Sequence, residues 1–124
     1  MSIAEPKITA VLLHDATVAA LAGTRVHPAP LPRGCALPAI SYARISGGQV
    51  YSLAGYSGLE NPRIQVDCWA ETYDAAKALA TAVRAAMDRA TTFNALVIGD
   101  RDQFSDTGQK PHSVTLDFSV WNLE

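Results

Sequence analysis

Residues 63–90, RIQVDCWAETYDAAKALATAVRAAMDRA, leave this chain few choices of fold. In the opening part, Ile64, Val66, Cys68 and Ala70 alternate with Arg63, Gln65, Asp67 and Trp69. That is the period-two pattern of a strand with one buried face. Thr72 then reads as an N-cap, and Asp74 puts negative charge where the first turn of a helix favours it. Beyond it Tyr73, Ala76, Leu79, Ala80, Val83 and Met87 recur at spacings of three and four, an apolar stripe along a helix over about 72–90. Lys77, Arg84 and Asp88 fall on the wet side, where Arg84 and Asp88 are spaced to pair at i,i+4. Abundant alanine raises helix propensity and lets the helix approach a sheet closely. A strand feeding a helix in this way is the hub of one α/β core. With 124 residues the chain holds one such core and not two, so 1–124 is read as a single domain.

The rest of the chain builds around that hub. Ile3, Ile8, Val11 and Leu12 lie on one helical stripe, with Glu5 and Pro6 in a favourable first turn. Asp15 caps a second short helical turn at 17–21, which Gly23 stops. Four prolines (Pro28, Pro30, Pro32, Pro38) exclude a central strand from 25–38, although Arg25, Val26 and His27 suit a short edge strand. Residues 39–46, AISYARIS, alternate as a strand. Residues 47–62 carry Gly47, Gly48, Gly55, Gly58 and Pro62, too long a connection for a tight hairpin turn. They also carry Val50, Tyr51, Leu53, Tyr56 and Leu59, too many apolar groups for a solvated linker. Two readings stay open: an irregular flap packed on its own domain, or a loop that orders against a partner. A strand at 93–99, a charged turn region at 100–111 and a strand at 112–121 follow, the two strands close enough to form an antiparallel hairpin. Val114, Leu116, Phe118 and Val120 take the inner face of the last strand, each large side chain worth about 1.5–3 kcal/mol when buried. The expected class is α+β: a mainly antiparallel sheet of four to five strands against two helices, the N-terminal one and the one over about 72–90.

Composition and motifs argue against most chemistry. A formal charge of −2 offers no basic footprint for nucleic acid. No apolar run approaches the roughly 20 residues of a spanning helix, and no signal peptide is evident. Cys35 lies in a Pro/Gly-rich loop and Cys68 inside an apolar strand, so two free thiols in a reducing cytoplasm are expected. His14, His27 and His112 show no zinc spacing with either cysteine. Asp100, Asp102 and Asp106 lack the order of a calcium loop, and no phosphate-cradling glycine loop opens a helix. No catalytic residue, metal or cofactor is expected. A thiol enzyme using Cys35 or Cys68 is a distant alternative, because a buried strand cysteine is inert. Tyr42, Tyr51, Tyr56, Trp69 and Trp121 without interleaved basic residues suit protein contacts better than base stacking.

The string RIQVDCWAETYDAAKALATAVRAAMD, together with AALAGTRVHPAPLPRGCALPAISYARISG and SVTLDFSVWNLE, resembles the small phage tail-completion proteins. These are also described as tail terminators or tail-to-head joining proteins. The resemblance covers nearly the whole chain, and D-C-W-A-x-T-Y-x-x-A is its most distinctive part. It implies a non-enzymatic structural protein of the virion, in a phage, a prophage or a gene transfer particle, assembled in the host cytoplasm. Such a protein forms a ring, as a hexamer, that caps the tail tube and meets the head connector, while DNA passes through the lumen without specific binding. The implied partners are further copies of the chain, the tube protein and the connector or stopper protein. A head-tail stopper or a tail-tube subunit is the alternative within the same class. On this reading the expected contact residues are Tyr51, Leu53, Tyr56 and Leu59 in the 47–62 loop and Asp102 and Phe104 in the 100–111 loop. Trp69, with Asp67, Asp117 and Trp121, marks a polar sheet face that either nears a subunit boundary or lies beneath the N-terminal helix.

Overall fold

The computed structural model describes residues 4–29, 34, 36–46, 49–52, 55–91, 93–103 and 112–123. In chain order these form α1 (Ala4–His14), α2 (Ala16–Ala22), β1 (Val26–Pro28), β2 (Ala39–Ser46), β3 (Gln49–Ser52), β4 (Gly55–Glu60), β5 (Arg63–Ala70), α3 (Tyr73–Arg89), β6 (Asn94–Gln103) and β7 (His112–Leu123). The main layer runs β1-β2-β5-β7, with β6 on the free flank of β7. β1 lies parallel to β2, and every other pairing is antiparallel. The α+β class and the mainly antiparallel sheet are as expected. The short α2 makes a third helix.

The hub forms as its pattern dictates. Thr72 accepts a hydrogen bond from the Ala75 N–H and starts α3. Ile64, Val66, Cys68 and Ala70 are buried, and α3 lays Ala76, Leu79, Ala80, Val83 and Met87 against β5 and β7. Val114, Leu116, Phe118 and Val120 complete that face of the sheet. Tyr73 departs from the expected stripe: it is exposed and its hydroxyl turns to β6. Position one of a helix stands clear of the packed turns, and a phenol there finds a polar partner at less cost than burial. Ile8 and Leu12 from α1 and Val18 from α2 join the same core, α1 packing on α2, α3 and β1. Asp15 breaks the two helices as expected, accepting from the Thr17 and Val18 N–H groups, each at 3.0 Å. Gly23 ends α2 at φ 60°, a left-handed conformation that suits glycine.

Two expectations at the loops need correction. Among its described residues, segment 47–62 is not an irregular loop. Its described parts are β3 and β4, an antiparallel pair in which Tyr51 is level with Tyr56 and Ser52 with Gly55. Glycines and a register shift between Gln49 and Tyr51 interrupt the alternation that would have betrayed strands. Likewise Asp100, Arg101, Asp102 and Gln103 are strand, still in register with Leu116, Thr115, Val114 and Ser113 of β7. Charges are ordinary on an edge strand, whose flank faces water. Ile3, Cys35, Leu53, Phe104 and Asp106 lie outside the described residues.

The ribbon β3–β4 continues the β2–β5 hairpin beyond the main layer. β4 runs on along the same flank of β7 as β5, with Leu59 level with Leu123 and Glu60 with Asn122. Asn61 and Pro62 form the joint. The Asn61 side-chain amide donates to Ser119 Oγ and to the Val120 carbonyl, each at 2.9 Å, and the Pro62 carbonyl accepts from the Val120 N–H at 3.0 Å. Proline is tolerated here because the ladder is already interrupted.

Candidate assembly surfaces

Three surfaces emerge from this architecture, and none of them is a catalytic pocket. Among the described residues no group of three or more His, Cys, Asp or Glu side chains gathers to hold a metal. Cys68 is fully buried, and burial above all, with the neighbouring Asp67 charge, pushes its thiol far up. A thiolate nucleophile is therefore not on offer there. No helix is long and apolar enough to cross a membrane.

The first surface is the ribbon. Tyr51 and Tyr56 occupy paired positions on β3 and β4. Leu59 is half-buried at the ribbon's root, level with Leu123. The root itself is fixed by a buried polar chain. Lys7 of α1 donates to Asn122 Oδ1 at 2.6 Å, and Asn122 donates through Nδ2 to Glu60 Oε1 at 2.8 Å. Asn122 and Glu60 are both buried, so these bonds satisfy groups that have left water.

The second surface is the sheet face opposite the helices. The N-terminal helix does not cover it: Ile8 and Leu12 of α1 enter the core on the other side. Its centre is a hydrogen-bonded array across four strands. Trp69 donates its indole N–H to Ser41 Oγ at 2.9 Å. Asp67 accepts from Thr115 and, at 3.3 Å, from Gln65, while Arg101 donates to Asp117 at 2.9 Å and to Gln65 at 3.3 Å. Trp69 is thus held within its own subunit, half-buried beside buried Ser41, Ser113 and Thr115. Trp121 does not lie beside it. Trp69 pairs with Ser113, eight positions along β7 from Trp121, which separates the two by about 26 Å at 3.3 Å per residue.

The third surface is the β6 side. Asp102, expected in a projecting loop, ties β6 to α3: it accepts from the Tyr73 hydroxyl at 2.7 Å and pairs with Lys77 at 3.0 Å. The Tyr73 hydrogen bond, then that from Lys77, holds its carboxyl below the ordinary value. Leu96 and Ile98 stand exposed on the same strand, as does Ile45 on β2 and, in part, Trp121 on β7. Ile45, Leu96 and Ile98 are not among the contact residues expected from the sequence. The signal was present in ALVI, where apolar residues fill both alternating sets and only one set finds a core.

Comparison with known proteins brings these observations to a family. No curated protein matches the sequence. Among solved structures, a chain in the virion of a native gene transfer agent particle shares the fold with a TM-score of 0.70 and 22% identity, covering 94% of this chain and 92% of that one. Residues 6–122 match the family described as tail completion protein gp17. That match takes in all three helices' cores, the whole sheet and the ribbon, and so the chain belongs to the tail completion gp17 family of phage tail structural proteins.

Proposed function

We propose that this chain closes into a ring, a hexamer, that caps the head-proximal end of the phage tail tube and joins it to the head connector. The observation that carries this reading is the β3–β4 ribbon. It extends beyond the helix-backed layer while its root is anchored by Asn61, Glu60, Lys7 and Asn122. A rigid root with a projecting tip suits a contact made along the ring axis. Tyr51, Leu53, Tyr56 and Leu59 are its contact residues, and 1–124 acts as one unit. Asp102 and Phe104 border a second axial contact at the β6–β7 connection. The sheet face around Trp69 nears the subunit boundary. In the assembled tail DNA slides through the lumen without specific binding.

Deletion of 51–57 tests the reading. The subunit is expected to fold, because the core in β5, α3 and β7 is untouched, yet particles made with it should show headless or overlong tails under the electron microscope. Infectious particles of normal length would overturn the reading. Complete loss of the protein separates the neighbouring roles: a missing tube subunit leaves no tails, whereas a missing terminator leaves tails of uncontrolled length or without heads.

A further inference from the structure

A groove opens beside the ribbon root, on the sheet face opposite the helices. Ser46, Asn61, Pro62, Arg63, Ile98 and Ser119 line it, and its volume is about 340 Å³. Register builds it. Ser46 is level with Arg63, Arg63 with Ser119 and Ser119 with Leu96, so one row of neighbouring side chains crosses four strands. Ile64 and Phe118 of the next row are buried in the core, and alternation turns this row the other way. Ile98 enters at the register shift between Val97 and Gly99, and Asn61 and Pro62 add the joint between β4 and β5.

Among the described residues the groove is rich in donors and lined by no carboxylate. Arg63 is exposed, and no ion pair joins it to another described residue. Ser119 Oγ accepts from Asn61 Nδ2, which leaves its own O–H to donate elsewhere. Ser46 adds an exposed hydroxyl. Asp117, two positions before Ser119 on the same face, is held by Arg101 at 2.9 Å. Apolar surface surrounds these donors: Ile98 is 49% exposed, Leu96 59% and Ile45, which precedes Ser46, 53%.

We infer that this groove receives an acidic side chain with an apolar neighbour, presented by the protein that the ribbon meets along the axis. A planar carboxylate takes paired N–H bonds from the Arg63 guanidinium and a further one from a serine hydroxyl. Its apolar neighbour covers Ile98 and Leu96. A nucleic-acid phosphate fits the groove less well, because a single cation releases few counterions and the apolar rim stays wet. An arginine set among apolar side chains is instead the composition of a protein contact. The inference rests on the capping reading, which sets the ribbon end of the sheet against a partner, and it gives that contact a chemistry.

Arg63→Glu and Ile98→Asp test it, each supplied to cells that assemble particles without the wild-type chain. Both side chains are exposed, so both variants should fold by circular dichroism and sediment as wild type does. The yield of complete particles should nevertheless fall about tenfold or more, the worth of one hydrogen bond to a charged group. Second-site changes that restore Arg63→Glu should convert an Asp or Glu of a neighbouring tail or connector protein to Lys or Arg. Normal yield from both point variants, where deletion of 51–57 gives headless or overlong tails, overturns the groove and leaves the capping reading standing. Normal particles from the deletion as well overturn the two together. Altered sedimentation of the folded variants, or restoring changes confined to this chain, would put another copy in the groove and defeat the inference. A labelled duplex bound by wild type and not by Arg63→Glu would make phosphate the ligand, with the same result.

Discussion

At the scale of single residues, Asp15 carries two duties. It caps α2 through the Thr17 and Val18 N–H groups and pairs with Arg89 at the end of α3. The Val18 hydrogen bond above all, then Arg89 and the Thr17 N–H, lower its pKa against the opposing cost of partial burial. A carboxylate with a depressed folded-state pKa stabilises the fold above its unfolded pKa and loses that contribution as pH falls through the folded one. Asp15→Ala should therefore lower stability by about 1 kcal/mol at neutral pH, the usual worth of an N-cap. The gap between wild type and variant should narrow as pH drops below about 4. Asp15→Asn should keep most of the cap and lose only the attraction to Arg89. Urea midpoints at pH 7 and at acid pH measure all three, and a gap that widens in acid would refute the assignment.

At the scale of elements, the chain Lys7–Asn122–Glu60 joins α1, β7 and the ribbon root in one buried arrangement. Asn122→Ala removes a donor from buried Glu60 and an acceptor from Lys7, so it should cost about 1–3 kcal/mol. Hydrogen exchange should place the largest loss of protection in β4 and the end of β7. An effect spread evenly over the sheet would mean the triad does not anchor the ribbon. Here sequence and structure part in an instructive way. β5 and α3 were legible because Ile64, Val66, Cys68 and Ala70 and the Leu79–Val83 stripe follow strict periods against one core. Asn122 was not, because the clean alternation of the last strand stops at Trp121 and a polar partner on another element leaves no periodic trace. The ribbon was hidden by its glycines: a strand pair that hangs off the layer is held by backbone pairing, which sequence pattern does not report. Of the contact residues expected, Asp102 is committed to α3 and Trp69 to Ser41, whereas the exposed Ile45, Leu96 and Ile98 were not singled out.

At the scale of the whole molecule, the question is how a ring closed around DNA, as proposed above, would avoid holding it. Ten Lys and Arg against twelve Asp and Glu leave −2 per copy, and any ring multiplies that sign. Affinity for duplex DNA comes largely from cations that displace its counterions, and several of the described cations are already engaged. Arg101 is paired with Asp117, Arg89 with Asp15 and Lys77 with Asp102. Fluorescence anisotropy of a short labelled duplex should accordingly show no binding to the wild-type chain at about 50 mM salt, where electrostatic binders are strong. Asp117→Asn, which releases exposed Arg101 from its carboxylate partner, should bind more tightly than wild type, with an affinity that falls as salt rises. Tight, salt-sensitive binding by the wild type would place a basic surface in the lumen and defeat the picture of a passage through which DNA slides.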